Sequence, residues 1–467
     1  MYRTRQIRIR KGHCLWEYAQ ELCMGAALLY NRANYLMRQY ATAVRDLEQM
    51  KVLRENQLQV YRLVRDTTEG TVYEPGGAWL TYGQLDYVLK KTSDKAYRSL
   101  PAQANQQILK RLQRDYKSFF EAMKAWKKEP ARFTGRPKLP GYRKTGSPAA
   151  AVLTNQICGI REGRYLKFPG TKERADLGRL PEGSRLKEVR IRPGHGDMVI
   201  EAVLEVDGEE REAGKLCRLT EKQLREVLSE SRSCEVRAAA IDPGVDNLCA
   251  VTNNIGAAPF VIKGGRAKSE NRYYNKKLAE LKGQAMRCNG RHTTRRIGRL
   301  TDRRNRILKD LMHKASRMIA DWAAEQRVEI VVLGHNEFQK QGISMGHVNN
   351  QTFVQIPYGV FAGMLRYKLE EKGIAFLETE ESYTSKADYL AGDRIPVYGK
   401  EDRGQTEEER ERRFSGKRVK RGLYQHKDGT RSNADINGAA NILRKVFPNE
   451  IEWDRGVVDT PYAVRIS

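Results

Sequence analysis

The chain has 467 residues, of which 85 are lysine or arginine and 58 are aspartate or glutamate, so its formal net charge is +27. This length exceeds one ordinary hydrophobic core and predicts two or three domains. The charge favours nucleic acid as the partner, with a ribosomal or chromatin packing protein or an anionic-membrane binder as alternatives. No segment approaches the roughly 18 apolar residues that cross a bilayer, and the first residues lack a secretion signal, so no membrane association and a cytoplasmic location are expected.

The first part of the chain is predicted to consist of a strand followed by helices. Residues 1–14 alternate basic with aliphatic side chains, whereas 15–130 carry apolar residues mostly at helical spacing. Near the end of this region, basic residues alternate with the aromatic residues Tyr116, Phe119 and Phe120. Such a face can hold phosphates while the rings pack or stack. The predicted nucleic-acid contacts here are Lys110, Arg114 and Lys117.

Residues 131–214 are predicted to form a small β-domain. The basic loop FTGRPKLPGYRK is followed by segments that alternate like half-buried strands. Its predicted nucleic-acid contacts are Arg136, Lys138 and Arg143. Residues 215–235 are predicted to be a linker with one short helix, and a new domain begins at 236.

The second half of the chain predicts an α/β domain. Three strands with tight turns are followed by two long basic helices, a strand, a helix, another strand and a final helix. Three antiparallel strands followed by helix-separated parallel strands is the RNase H topology. The predicted bounds are 236–386 for this domain, 387–432 for an insert, 433–450 for the final helix and 451–467 for a C-terminal tail.

Two aspartates of this half are candidate metal ligands. Asp242 ends an apolar strand in AAAIDPGVDNLCAVT, and Asp435 opens the helix of SNADINGAANILRK, whose N-terminus favours a nearby phosphate. Alone, Asp242 could be a turn residue and Asp435 an N-cap. In an RNase H fold, acids from different strands hold two Mg²⁺ ions for phosphodiester cleavage, so together they predict a nuclease site.

Five segments resemble, in the same order, consecutive blocks of TnpB proteins, which insertion sequences encode. They are IDPGVDNLCAVT, EIVVLGHNEFQKQ, FVQIPYGVFAGMLRYKLEEKGI, ESYTSKAD and NADINGAANILRK. TnpB proteins are related to the type V CRISPR effectors and the eukaryotic Fanzor nucleases. The resemblance is strong over 236–447 and weaker before it.

The resemblance implies an α/β multidomain protein. Its parts would be a RuvC-like nuclease domain of RNase H fold and a β-barrel wedge domain, at 1–14 and 131–214, with an inserted helical recognition lobe at 15–130. It also implies a noncoding guide RNA as partner and cleavage of double-stranded DNA next to a short adjacent motif. The implied cofactor is Mg²⁺, as two ions, or Mn²⁺. Base pairing would read the sequence while a basic channel holds the heteroduplex by its shape and backbone.

One departure from the family concerns the second catalytic carboxylate. Many TnpB proteins carry this glutamate at the end of the strand that EIVVLGHN occupies, and the matching residue here is Gly334. In a subset that includes Fanzors it is displaced to the following strand, where this chain has Glu380 and Glu381. Strand alternation sends these two side chains to opposite faces, so one of them is expected at the metals, with Glu381 preferred and Glu380 left open. Glu337 is a weaker candidate.

A second departure is the missing zinc ribbon before the last aspartate. Residues 387–433 contain no cysteine, and the chain's seven cysteines include no Cys-x-x-Cys pair, so neither zinc nor disulfides are expected. We expect an insert held by apolar residues that contacts the nucleic-acid backbone. Its predicted packing residues are Tyr389, Ile395, Val397, Tyr398, Phe414 and Leu423. The predicted nucleic-acid contacts in and beside it are Lys386, Lys417, Arg418 and Arg421, while His335 and Asn336 could orient a phosphate or cap a strand.

The sequence leaves three functions to compare. The first is an RNA-guided DNA endonuclease that can be nucleoid-associated when bound to DNA. The second is a nuclease-inactive RNA-guided repressor, if Glu380 and Glu381 both face solvent. The third is a transposase accessory protein, which is disfavoured because the sequence has nothing resembling a tyrosine nucleophile on a His-hydrophobe-His metal site. The guide scaffold, the adjacent motif, single-strand cutting and the oligomeric state are not specified by the sequence.

Overall fold

The chain divides into two compact units, Met1–Asp207 and Gly208–Ser467. The structure is a computed structural model that describes residues 2–206, 214–335, 355–396, 414–448, 455–458 and 460–466. None of the helices in these ranges is both long enough and apolar enough to cross a bilayer.

The first unit contains a group of helices between residues 16 and 128. Apolar residues spaced three and four apart give the long helix α1 a buried stripe that includes Leu22, Ala26 and Leu29. This stripe shares one hydrophobic core with Ile108 and Leu112 of α5. The helices are α1 (Trp16–Glu48), α2 (Glu55–Thr68), α3 (Tyr82–Lys91), the single turn α4 (Lys95–Arg98) and α5 (Ala102–Lys128).

The strands of the first unit pair in two antiparallel sheets. The larger has the order β1-β7-β6-β2, and the smaller has the order β3-β4-β5. These strands lie within 1–14 and 131–214, the bounds at which the resemblance implies a β-barrel wedge domain. The strands are β1 (Tyr2–Arg10), β2 (Ala151–Thr154), β3 (Gly159–Arg161), β4 (Tyr165–Lys167), β5 (Arg174–Asp176), β6 (Arg185–Pro193) and β7 (Asp197–Glu205).

A mixed sheet forms the centre of the second unit, with the strand order β12-β11-β8-β9-β10-β16. Strands β8, β9 and β10 are antiparallel neighbours, whereas β11 and β12 run parallel to β8. The order and directions of β8 to β12 are those expected from the sequence. The strands are β8 (Ala238–Pro243), β9 (Asn247–Asn253), β10 (Phe260–Lys263), β11 (Ile330–Gly334), β12 (Ala375–Thr379) and β16 (Tyr462–Val464).

Helices cover both faces of this sheet. Ala239 and Ile241 of β8 pack with α8 and α9, whereas the alternate residues Ala238 and Ala240 pack with α6 and α10. Because side chains alternate along a strand, Asp242 points to the same face as Ala238 and Ala240, toward α10. The helices are α6 (Glu221–Glu230), α7 (Gly265–Asn289), α8 (Arg295–Glu325), α9 (Tyr358–Glu370) and α10 (Ala434–Val446).

Two features of the second unit were not expected from the sequence. The segment expected to be a C-terminal tail contributes β16, which pairs in parallel with β10. The insert contains a three-stranded antiparallel sheet, β13-β14-β15, whose last strand leads directly into α10. Its strands are β13 (Lys417–Lys420), β14 (Leu423–Gln425) and β15 (Arg431–Asn433).

Candidate active site

The carboxyl ends of β8, β11 and β12 meet at one edge of the sheet, because these strands are parallel neighbours. Asp242 lies at the end of β8, beside the small residues of α10. A Cβ atom on Gly438 of α10 would lie 2.7 Å from Asp242 Oδ2. A glycine at this position therefore lets the helix backbone pass close to the carboxylate.

Asp435 lies in the first turn of α10 but is not its N-cap. Asn433 has that role, because its side-chain oxygen accepts hydrogen bonds from the backbone N–H groups of Asp435 and Ile436. The carboxylate of Asp435 is therefore available for other contacts. Its Oδ2 accepts a 2.7 Å hydrogen bond from Asn247 Nδ2, and its Oδ1 accepts one of 3.0 Å from Arg418 Nη2.

Glu380 and Glu381 directly follow β12, which ends at Thr379. Glu380 forms an ion pair with Lys445 and accepts a 2.6 Å hydrogen bond from the Ser382 N–H. Glu381 lies over the end of β11, where a Cβ atom on Gly334 would be 2.8 Å from Glu381 Oε2 and 3.3 Å from Glu381 Cβ. The side chain of Glu381 thus fills space that a side chain at position 334 would need.

Asp242, Glu381 and Asp435 are linked electrostatically. Burial raises the pKa of Asp242 well above its usual value, and the charges of Glu381 and Asp435 raise it further, while Arg418 acts in the opposite direction. Burial and the charge of Glu380 raise the pKa of Glu381 to about 7, against the opposing effect of Lys445. Three carboxyl groups from separate segments therefore form one half-buried acidic cluster, whose ionised form a cation would stabilise.

The donor types of this group fit Mg²⁺ or Mn²⁺, which prefer hard oxygen ligands. The glycine cradle at Gly334 and Gly438 keeps the backbone close to the carboxylates. Even so, no three His, Cys, Asp or Glu side chains of the described residues are arranged closely enough to hold a metal ion as they stand. Both Asp435 oxygens already accept hydrogen bonds, so we expect this carboxylate to exchange a partner before all three can bind one ion.

Polar residues around this group were missed by the sequence analysis. Asn247, at the start of β9, accepts a 3.0 Å hydrogen bond from Lys263 on its Oδ1, which orients its amide NH₂ toward Asp435. Asp246, one residue earlier, forms ion pairs with Lys268 and Arg421. Both residues belong to the PGVDN turn directly after Asp242, which is the one local signal that could have indicated them.

A buried polar network holds the insert together. Asp388 is fully buried, and its carboxylate accepts hydrogen bonds from His426 Nδ1 at 2.6 Å and from the Lys427 N–H at 2.7 Å. Burial raises the pKa of Asp388, but these hydrogen bonds outweigh it and the pKa is lowered. Among the predicted packing residues Tyr389 is buried, whereas Val397 and Tyr398 lie outside the described residues. The insert is thus held by polar contacts as well as by the predicted packing residue Tyr389.

Several predicted nucleic-acid contacts of the first unit lie against aromatic rings. The side chains of Lys110, Arg136 and Arg143 lie over the rings of Tyr82, Trp126 and Tyr30, at 5.1, 5.9 and 4.3 Å from the ring centroids. Arg143 also lies 3.7 Å from Asp115, so part of its charge is used within the protein. Arg114 and Lys117 line a hollow of about 970 Å³ that also contains Trp79 and Phe120, and Lys138 is exposed.

The predicted contacts of the second unit fall into two groups. Arg418 and Arg421 hold the carboxylates of Asp435 and Asp246. Lys417 is exposed on β13, and the carbonyl of Lys386 accepts a hydrogen bond from Tyr424. The His335 N–H donates to the Thr379 carbonyl at 2.7 Å, which continues the strand pairing. Asn336 and Glu337 lie outside the described residues.

Two family models match segments of the second unit. The OrfB_IS605 family model, described as a probable transposase, matches residues 218–338, and the Cas12f1-like TNB domain model matches 358–442. The TnpB-like protein ORF457 of Acidianus two-tailed virus is 26% identical over 259 residues, which are 52% of this chain and 49% of that protein. The chain therefore matches about half the length of this curated relative.

The chain is an α/β protein of two compact units, one of which gathers carboxylates at the edge of a mixed sheet. Within that class, the two family models and the curated relative support the TnpB family, as the sequence resemblance indicated.

Solved structures with similarity to this chain include three effector proteins. They are Cas12f1 in a complex with single-guide RNA and target DNA (14% identity, TM-score 0.30, 94% of this chain and 98% of that chain), the mini-RNA-guided endonuclease CRISPR-Cas_phi3 (11%, 0.39, 96% and 92%) and Alicyclobacillus acidoterrestris C2c1 with single-guide RNA (11%, 0.34, 90% and 70%). TM-scores this low do not establish a shared overall arrangement.

Proposed function

We propose that the chain is an RNA-guided DNA endonuclease that hydrolyses guide-matched double-stranded DNA next to a short adjacent motif. The nuclease domain would be RuvC-like, with an RNase H fold, and two Mg²⁺ or Mn²⁺ ions would be its cofactor. Similarity to the TnpB family supports this proposal. The order and directions of β8 to β12 also support it, because they are those of an RNase H sheet.

One observation carries the proposal, namely the position of Glu381. Gly334 stands where many TnpB proteins have a catalytic glutamate, and the side chain of Glu381 fills the space next to it. The charges of Glu381 and Asp435 both act on Asp242 and raise its pKa. A carboxylate supplied from after β12 would thus replace the one missing from the end of β11.

The residues of the site have distinct roles in this proposal. Asp242, Glu381 and Asp435 would hold the metal ions, which activate water and stabilise the leaving oxygen when they are bound. Asn247 would fix the orientation of Asp435 through its hydrogen bond to Oδ2. Glu380 would have a structural rather than a catalytic role, because Lys445 and the Ser382 N–H hold its carboxylate.

The nucleic-acid partners would be a noncoding guide RNA and its matched DNA. The net charge of +27 supports polyanion binding, and the cationic side chains over aromatic rings in the first unit suit contacts to phosphates and bases. A wedge domain and a recognition lobe at the bounds given above remain part of this proposal. So does action in the cytoplasm of a prokaryotic cell, at the nucleoid.

Cleavage of matched DNA tests this function. The full-length chain is expressed with its transposon-end RNA, the bound RNA is sequenced, and duplexes with and without the matching sequence are incubated in Mg²⁺. We expect the wild type to cut only the matched duplex. Asp242→Ala and Asp435→Ala should lower the cleavage rate by at least about 100-fold with RNA binding intact, because each removes a metal ligand. Glu380→Gln should retain most of the activity.

A nuclease-inactive, RNA-guided DNA-binding repressor is the second candidate. The contact of Arg418 with Asp435 Oδ1 favours it, because a cation beside this carboxylate opposes the binding of a metal ion. Tight binding of matched DNA without cleavage in Mg²⁺ would support this function and contradict the first. Strand transfer at transposon ends without guide RNA would instead support the description of the matching family as a probable transposase.

A further inference from the structure

Arg418 supplies positive charge at the position where a metal ion is expected to act. Its guanidinium donates to Asp435 Oδ1 at 3.0 Å, and its charge also favours the ionised form of Asp242. Asn247 occupies the other oxygen, Oδ2, of Asp435. Of the two oxygens, Oδ1 is held by a side chain that is 44% exposed, whereas Oδ2 is held by a buried amide. Oδ1 is therefore the oxygen that can be released more easily.

The arginine belongs to an exposed hairpin made of β13 and β14. Every residue of β13 is exposed, and the chain turns at Gly422, which has a φ of +80°. Arg421, at the turn, forms an ion pair with Asp246, and its side chain is 70% exposed. Two arginines of one hairpin thus hold two carboxylates of the second unit while remaining open to solvent.

The base of the hairpin is fixed relative to Asp435. Strand β14 pairs with β15, and β15 ends at Asn433, the N-cap of the helix that carries Asp435. Tyr424 of β14 is buried and donates a 2.8 Å hydrogen bond to the Lys386 carbonyl. Release of Asp435 therefore requires only that the Arg418 side chain rotate, and the sheet can stay in place.

A phosphate is a suitable competitor for Arg418. Guanidinium groups form bidentate, charge-assisted hydrogen bonds with phosphate oxygens, and nucleic-acid backbones present phosphates at close spacing. The exposed strand also carries Lys417 and Lys420, so a backbone that lies along β13 meets several cations. The ion pair between Arg418 and Asp435 is partly exposed and hence weak, so a phosphate can displace Asp435 from the guanidinium.

We propose that Arg418 is a positioning residue that couples nucleic-acid binding to metal loading. It holds Asp435 Oδ1 while the hairpin is free of nucleic acid, and it releases this oxygen to a metal ion when a backbone phosphate binds the guanidinium. The inference rests on the proposed function only in assuming that Asp435 is a metal ligand.

Metal affinity without nucleic acid gives the first test. The full-length protein is titrated with Mn²⁺, and free Mn²⁺ is measured by electron paramagnetic resonance. Arg418→Gln should bind Mn²⁺ about two- to fivefold more tightly than the wild type, because a competing ion pair is lost. Lys420→Gln also removes one positive charge from β13, and it should change the affinity for Mn²⁺ by less than Arg418→Gln does. Equal effects of the two variants, or weaker binding by Arg418→Gln, would overturn the proposal.

A double-mutant cycle shows whether the effect acts through Asp435. In an Asp435→Asn background, Arg418→Gln should no longer change the affinity for Mn²⁺. An unchanged effect in that background would mean that Arg418 acts by long-range charge alone, which contradicts the proposal. Arg418→Lys keeps the positive charge but lacks the planar guanidinium group. Its affinity for Mn²⁺ should therefore lie between those of the wild type and Arg418→Gln.

Binding of a short DNA duplex without guide RNA gives the converse test. The loss of duplex affinity caused by Arg418→Gln should be about two- to fivefold greater in Mn²⁺ than in EDTA at equal ionic strength, because the metal frees Arg418 from Asp435. For Lys420→Gln the two losses should be alike. If Arg418→Gln loses the same amount of duplex affinity in Mn²⁺ as in EDTA, the coupling is refuted.

These tests separate the inference from the proposed function. A protein with the predicted Mn²⁺ affinities that never cuts matched DNA would contradict the endonuclease and leave the coupling in place. A protein that cuts matched DNA, but whose Mn²⁺ affinity is unchanged by Arg418→Gln, would contradict the coupling and leave the endonuclease in place.

Discussion

Glu380 and Glu381 are neighbours in sequence with opposite surroundings. Lys445 pairs with Glu380, while burial and the charge of Glu380 raise the pKa of Glu381. Resemblance to the TnpB family pointed to this pair, but the sequence could not distinguish its members. The distinction depends on Lys445, which lies 65 residues later in the chain, and on a turn that follows β12 rather than on the strand itself.

Moving the carboxylate back to position 334 tests the replacement directly. Glu381→Ala should lower cleavage of matched DNA by at least about 100-fold. Adding Gly334→Glu together with Ile442→Val should recover at least about tenfold, because the new Cβ occupies space left by Glu381 and the valine lacks the Cδ1 atom that would lie 2.5 Å away. Glu381→Ala with Ile442→Val alone is the control. A folded triple variant without recovery would contradict the replacement.

The raised pKa of Glu381 predicts how stability depends on pH without metal. From about pH 4.5 to about pH 7, folded Glu381 holds a proton that the unfolded chain has lost. Stability should therefore fall as the pH rises through this window, by a few kcal/mol at most. Melting temperatures in EDTA should show this fall in the wild type and a flatter profile in Glu381→Gln. Glu226→Gln, an exposed change on α6, is the control, and parallel profiles for all three proteins would contradict the prediction.

At the scale of elements, the periodicity of apolar residues predicted helices and strands well where an element buries one side. The order of β8 to β12 with the helices between them, the final helix α10 and the helical region that contains α1 to α5 follow from apolar spacing. Strand β16 could not be predicted, because three residues, Tyr462–Val464, carry too little pattern and gain their pairing from β10. The Asp388–His426 contact joins residues 38 apart in sequence, so no local pattern reveals it.

The network around Asp388 predicts the stability of the insert. Asp388→Asn replaces one acceptor oxygen with an NH₂ group that faces donors, at a local cost of about 2–4 kcal/mol. Trypsin cleavage in the exposed strand β13 should then become at least about tenfold faster. Asp428→Asn, in the exposed turn before β15, should leave the rate unchanged, and a zinc chelator should not alter the wild-type rate. Equal rates for Asp388→Asn and the wild type would show that other contacts hold the insert.

At the scale of the whole molecule, the sequence could indicate the candidate acidic residues but not their contacts in the folded protein. Asp242, Glu381 and Asp435 come from segments far apart in the chain. The predicted RNase H topology linked the two aspartates, and only the family resemblance added Glu381. The contacts of Asn247 and Arg418 with Asp435 depend on the folded arrangement of β9, β13 and α10. Net charge likewise predicts a polyanionic partner for the chain without showing which cations bind it.

The position of a bound metal ion tests the central claim most directly. The full-length chain would be assembled with guide RNA and matched DNA, loaded with Mn²⁺ and examined by anomalous X-ray scattering. The account predicts Mn²⁺ in contact with carboxylate oxygens of Asp242, Glu381 and Asp435, with Arg418 bound to a phosphate. Mn²⁺ bound by Glu380 instead of Glu381, or no Mn²⁺ between Asp242 and Asp435, would contradict it.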